Sequence, residues 1–272
     1  MPQDATKASS AEPKPPSLRE KAWTVLREGL ADKSPEKRAK AAHALGLFKD
    51  NKEAESLAKQ ALKDEKGNVR AAAAAALGSM QALRAKPDLA AALDDEEPEV
   101  ALAAANSLLL LKDASSAYDV YYGVLTGDRR TDKGLVKENL KMFHDRKKLV
   151  QLGVEQGIGF IPFAGFGYDA YKTVAKSDSS PVRAAAAKKL AHDPSAETAR
   201  ALTLATHDKN WMVRAAALEA IAERGDKSLV DKIFLSLDDD KDEVRFTAAA
   251  CIAHLSDLPA KRRTVKASVP NN

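Results

Sequence analysis

The chain has 272 residues, with 43 Lys and Arg against 39 Asp and Glu, so its formal charge of +4 is a small difference between interleaved signs and weak ground for a polyanion partner. A single cysteine, Cys251, excludes an intramolecular disulfide, and no run approaches the roughly 20 apolar residues of a membrane span. Aromatics make up only 5% while Ala is abundant, which suits helices packed closely through small side chains and leaves strand signals nearly absent.

Residues 1–17, rich in Pro, Ser and Lys, hold too little apolar surface to offset ordering and are predicted to be disordered. They lack an apolar signal-peptide core, which makes the cytoplasm the default compartment. The same residues also look like the linker beyond a removed signal, so a periplasmic or secreted chain stays open. Helix is expected from Leu18 to Leu30, where Leu18, Ala22, Val25, Leu26 and Leu30 fall at helical spacing. Its partner begins at Ser34-Pro35-Glu36, an N-cap followed by Pro at the first helical position, and runs to about Phe48. This first pair has Lys37 where later pairs have Val, a polar variation suited to an exposed end.

Further pairs are expected at Glu53–Leu62 with Val69–Met80, the latter carrying six consecutive alanines, and at Pro87–Leu93 with Pro98–Leu111. A fourth, irregular pair is placed at Ala114–Gly127 and Leu135–His144, with extra residues at about Asp145–Phe166. Regularity returns with Tyr168–Lys176 and Pro181–His192, then Ala196–Ala205 and Trp211–Arg224, then Leu229–Leu237 and Glu243–Leu255. Residues 258–272 form a short basic tail.

The second helices share one pattern: an Asp in the preceding turn, then Val-Arg opening an Ala-rich apolar helix. It reads Asp64…Val69-Arg70, Asp178…Val182-Arg183, Asp208…Val213-Arg214 and Asp239…Val244-Arg245. Val69 to Val100, Val182 to Val213 and Val213 to Val244 are each 31 residues, and Val100 to Val182 is 82, two periods plus 20. A fixed period of this size marks a helical-repeat solenoid, here one elongated domain over residues 18–257.

The signature resembles the HEAT repeat, in particular the short bacterial HEAT-like repeats of the phycobilisome-lyase type. The resemblance implies an all-α, right-handed α-solenoid of antiparallel helix pairs, an armadillo-type superhelix of about seven repeats with the second helices lining a concave face. It also implies a hydrogen-bonded ladder between turns formed by Asp64, Asp178, Asp208 and Asp239 with Arg70, Arg183, Arg214 and Arg245. Asp95 sits beside Ala101, where Arg is missing, which puts the ladder in doubt at the third repeat. Physical chemistry points the same way: an acceptor at a helix start satisfies free N–H groups, and an Arg in the first turn needs a nearby carboxylate. The alternative, a phosphate-binding role for these arginines, is outweighed by their repetition.

Chemistry is sparse. None of the five histidines belongs to a His-Glu dipeptide or a zinc spacing, so the His-Glu pairs of HEAT-like hydroxylases are missing. Asp238 to Glu243 imitates the start of a calcium loop but has Glu243 at the turn position that needs Gly. Gly165-Phe-Gly167-Tyr-Asp-Ala170 matches a dinucleotide loop only formally, with Asp169 set to repel a phosphate. No cofactor or metal is expected. One segment breaks the repeat: Leu152 to Tyr168 holds five of the 13 glycines and three of the seven Phe residues. It reads either as a plug over an irregular joint or as a contact with a partner or membrane interface through Phe160, Ile161, Phe163, Phe166 and Tyr168.

The function these features favour is a non-enzymatic protein–protein interaction scaffold that holds another protein on its concave face. An accessory subunit of a chromophore or cofactor lyase comes second, as the resemblance implies. Nucleic-acid binding comes third, because Asp128, Asp132, Glu138 and Asp145 dilute the basic region from Arg129 to Lys148.

Overall fold

The computed structural model describes residues 15–115, 117, 118, 120, 121 and 180–259. The start of the expected helix Ala114–Gly127 is helical where it is described, up to Tyr121; the rest of the fourth pair, the first helix of the fifth, the apolar segment with Phe160, Ile161, Phe163, Phe166 and Tyr168, and Asp178 lie outside these residues. The described chain is helical, without strands. Its elements are α1 (Leu18–Leu30), α2 (Pro35–Ala44), α3 (Lys52–Ala61), α4 (Gly67–Ser79), α5 (Lys86–Ala92), α6 (Pro98–Leu110), α7 (Ser180–Lys189), α8 (Ala196–Ala205), α9 (Trp211–Arg224), α10 (Val230–Ile233) and α11 (Asp242–Asp257).

Local sequence sets the helix starts. Ser17 and Glu20 form a reciprocal capping box on α1, with Oε2 of Glu20 accepting from the Ser17 amide at 2.7 Å. Asn51 accepts from the Ala54 amide at 3.0 Å and Ser195 from the Thr198 amide at 3.1 Å, which caps α3 and α8. At the other end of α9, Gly225 stops the helix in the left-handed region at φ 67°. The expected single helix over Leu229–Leu237 is instead a 3₁₀ turn, the short α10, and a second 3₁₀ stretch over Phe234–Asp238. Its β-branched and aromatic residues resist regular α-helix, and its side chains reach the core as short turns.

Each first helix packs on its own second helix, and the second helices stack on one another: α2 on α4, α4 on α6, α7 on α9, α9 on α11. Ala71, Ala72, Ala73 and Ala74 are fully buried, so α4 approaches both neighbours at backbone range. Gly78 and Ser107 mark the closest approach. A Cβ on Gly78 would stand 2.7 Å from that of Ser107, whose hydroxyl donates to the Ala74 carbonyl at 2.8 Å.

The elongated, open array read from the sequence is corrected at its ends. The last helix, α11, packs on α1 and on α2, so the first and last repeats are neighbours. This contact differs from the stacking elsewhere, because α11 meets a first helix, α1, more extensively than the second helix α2. The first repeat is therefore a covered one, not an exposed end. Its core is a stack: Trp23 lies on Phe48 with ring centroids 4.8 Å apart, and His254 stands edge-on to Phe48 at 6.0 Å.

Candidate functional site

The Asp and Arg side chains of the repeated signature meet, but across repeats. Arg38 donates to both carboxylate oxygens of Asp64 at 2.8 Å, Arg70 to Asp95 at 2.8 and 2.7 Å, and Arg214 to Asp239 at 2.8 and 2.7 Å. Arg183 reaches Asp208 with one prong at 2.6 Å, gives its other amino group to the Ser180 hydroxyl, and keeps a buried Nε without an acceptor. Four of the arginines also clamp their own turns: Arg38 donates to the Asp32 carbonyl, Arg70 to that of Asp64, Arg214 to that of Asp208 and Arg245 to that of Asp239, all at 3.0 Å. The Asp side chains in turn accept from the amide two residues on, Lys66, Glu97, Asn210 and Lys241, at 2.9 Å.

So Asp95 is no orphan: Arg70 of the preceding repeat fills it, and the missing Arg at Ala101 breaks the link that would leave the third repeat. Arg38 and Asp32, not singled out as a pair from the sequence, occupy the signature places of the first repeat. Arg245 turns back to Asp242 in its own first turn and covers the Phe246 ring at 5.4 Å. The forks are mostly shielded from water, with 11–15% side-chain exposure at Arg38, Asp64, Arg70, Asp95, Arg214 and Asp239. The hydrogen bonds from Arg38 hold the Asp64 carboxyl below its usual range against the opposing effect of burial. Burial pushes Asp239 upward, but the bonds from Arg214 and the Lys241 amide prevail and leave it lowered. These arginines are occupied by protein carboxylates, which leaves them no free fork for a phosphate.

The seam between first and last repeats gathers a second set of polar groups. Asp257 accepts from Arg19 of α1 and from the Asn51 side-chain amide, the latter at 2.9 Å, and Lys40 of α2 pairs with Glu243 of α11 at 2.9 Å. His43 of α2 is half-buried with an Nδ1 that has no hydrogen-bond partner, and burial lowers its pKa while Glu219 and Lys188 pull in opposite directions. The pKa of His254 is likewise lowered, first by burial and then by Lys49, against the pull of Asp257. Lys188 and Glu219, equivalent positions of α7 and α9, pair at 2.7 Å.

Among the described residues no three His, Cys, Asp or Glu side chains come together as a metal site. Cys251 is fully buried in α11, and burial pushes its thiol far up. A cleft of about 250 Å³ lies at the inter-repeat turns between Asp50, Glu55, Met80 and Arg84, with Glu55 and Arg84 paired at 3.0 Å. No described helix is long and apolar enough to cross a membrane.

Large apolar side chains stand exposed at several places, Leu83, Leu110 and Tyr118 among them, and one set of them recurs with the repeat. Leu204 and Leu235 are 75% and 58% exposed, and Phe234 beside Leu235 is 43% exposed. Leu204 and Leu235 are 31 residues apart, the same outward position in neighbouring repeats, which the first three repeats fill with Glu28, Gln60 and Ala91. Sequence reading missed them because a Leu in a first helix looks like core; only the position relative to Val213 and Val244 marks it as outward.

No curated protein matches the chain. The family model for HEAT repeats matches residues 24–115 and 170–262, two blocks that bracket the irregular middle and take in the ladder and the seam. That is 92 plus 93 residues, more than half of the 272, and with the stacked helix pairs and the turn-to-turn ladder it establishes that the chain belongs to the HEAT-repeat family.

Proposed function

We propose that the chain is a non-enzymatic scaffold that binds another protein. The observation that carries this reading is the outward set Leu204, Phe234 and Leu235, apolar groups left in water at a repeat-equivalent position. Such side chains are worth about 1.5–3 kcal/mol each when fully covered, and exposed apolar groups of this kind are how contact surfaces are marked on folded chains. They ride on a frame whose neighbouring repeats are bolted together by Arg–Asp forks, so a partner would be met by a preformed surface with little left to order. The outer face thus takes the place of the concave one as the primary surface. Inner positions of the fifth and sixth repeats are tied up in the Lys188–Glu219 pair and look onto His43 of the first repeat.

The test is affinity capture from native lysate with the wild type and with Leu204→Glu/Leu235→Glu. The wild type is expected to retain a stoichiometric protein that the double variant loses, with thermal stability unchanged within about 0.5 kcal/mol because both positions are exposed. Retention by the double variant would remove the outer face from the reading. Absence of any stoichiometric protein on the wild type would remove the scaffold itself.

A further inference from the structure

The contact between first and last repeats is non-covalent and joins residues more than 200 positions apart; one imidazole, His254, lies in it, and a second, His43 of α2, lies beside it facing α7 and α9. His254 of α11 is 7% exposed and edge-on to Phe48; His43 of α2 has its Nδ1 sealed from solvent with no acceptor or donor opposite it. We propose that this seam is an acid-released latch: as pH falls below neutral, α1 parts from α11 and frays, since a 13-residue helix stripped of its packing is marginal in water, and the inner side of α9 and α11 is uncovered.

The charges around each ring decide the direction. His43 faces Lys188 of α7, which opposes a proton, and Glu219 of α9, which favours one but is already held by Lys188 at 2.7 Å. His254 faces Lys49, just beyond α2, and Asp257 of its own helix, whose carboxylate is engaged by Arg19 and Asn51. Each nearby acid is thus committed to another cation or donor. A proton on either ring stays badly solvated while the seam is shut. When the seam opens, both rings meet water and regain an ordinary affinity near 6.5, so protons are bound more strongly by the open form. The other links across the seam are the ion pairs Arg19 to Asp257 and Lys40 to Glu243. Between pH 7.5 and 5.5 each ring can raise the opening constant by about tenfold, and the two together by about a hundredfold.

Amide hydrogen exchange on the full chain reads this constant helix by helix. Protection of α1 amides from Trp23 to Gly29, corrected for the intrinsic pH dependence of exchange, is expected to fall by up to about a hundredfold between pH 7.5 and 5.5 while α4 and α9 hold theirs. In His43→Leu/His254→Leu the fall in α1 should vanish. Unchanged protection of α1 in the wild type overturns the latch. An equal fall in α4 and α9 also overturns it, because the whole fold would then be yielding. A fall that survives in the double variant does the same. The wild-type comparison of α1 with α4 decides the matter even where the variant does not fold.

Discussion

Gly29 of the first repeat makes room for Phe246 of the last: a Cβ on Gly29 would come to 2.7 Å from Cζ of that ring and 2.9 Å from the Ala41 Cβ. Intrinsic propensity favours Ala over Gly in a helix by about 1 kcal/mol, so Gly29→Ala would stabilise an isolated α1. In the folded protein the clash should win, with a net loss of about 1–2 kcal/mol in urea denaturation. Phe246→Leu in the same chain should recover part of that loss, and a stabilising Gly29→Ala would show that α1 does not sit on α11.

The direction of the ladder sorts its arginines. Arg214→Ala strands a shielded Asp239 and is expected to cost about 3 kcal/mol. Arg245→Ala removes local contacts to Asp242, the Asp239 carbonyl and the Phe246 ring, from a side chain 28% exposed, strands no carboxylate of another repeat, and should cost under about 1 kcal/mol. Asp95→Ala should resemble Arg214→Ala, because Arg70 loses its acceptor. Denaturation midpoints for the three variants check the order, and a harmless Asp95→Ala would return the pairing to within each repeat.

Acid sensitivity follows from the lowered carboxyls of Asp64 and Asp239. A group whose folded pKa lies below its unfolded value of 3.8 stabilises fully above that value and loses its contribution as pH falls through the folded one. Stability should therefore decline between about pH 4.5 and pH 2.5, a window below the histidines. Arg38→Met with Arg214→Met should flatten that decline, since it removes what lowers both carboxyls. Equal slopes for variant and wild type in urea midpoints across this window would place the acid sensitivity elsewhere.

Trp23 carries a buried Nε1 with no acceptor while its ring stacks on Phe48. Trp23→Phe removes the stranded donor along with part of the ring, so loss and relief nearly cancel, within about 1 kcal/mol. Trp23→Ala opens a cavity at the seam and should cost about 3–5 kcal/mol. A large penalty for Phe in thermal unfolding would mean that the indole N–H has a partner, such as an ordered water.

Much of the fold was legible from the sequence because a solenoid writes its nearest-neighbour contacts into a period. Val69, Val100, Val213 and Val244 are all buried, as the spacing required, whereas Val182 in the same register is 38% exposed. The phase of the ladder was not legible, since a period places each Arg at a fixed distance from the Asp before it and from the Asp after it alike. Only coordinates separate the two. The seam was hidden for another reason: it pairs residues that are not neighbours in the repeat order. Its one trace was a mismatch of size, Phe246 where other repeats have Ala39, Ala71, Leu102 or Ala215, set against a glycine in α1. The outward leucines were a matter of helical phase within short first helices, where two or three apolar residues fit more than one face.

An open stack of repeats unravels from its two tips, where a unit has lost one neighbour and frays first. Here the outermost units shield each other, and Arg19 and Asp257 tie the beginning of α1 to the close of α11. Loosening the first or the last repeat must then break two junctions, the one to its neighbour in sequence and the one across the seam. A circular permutant that joins these adjacent tips through a short linker and is opened at an inter-repeat turn should keep the same packing.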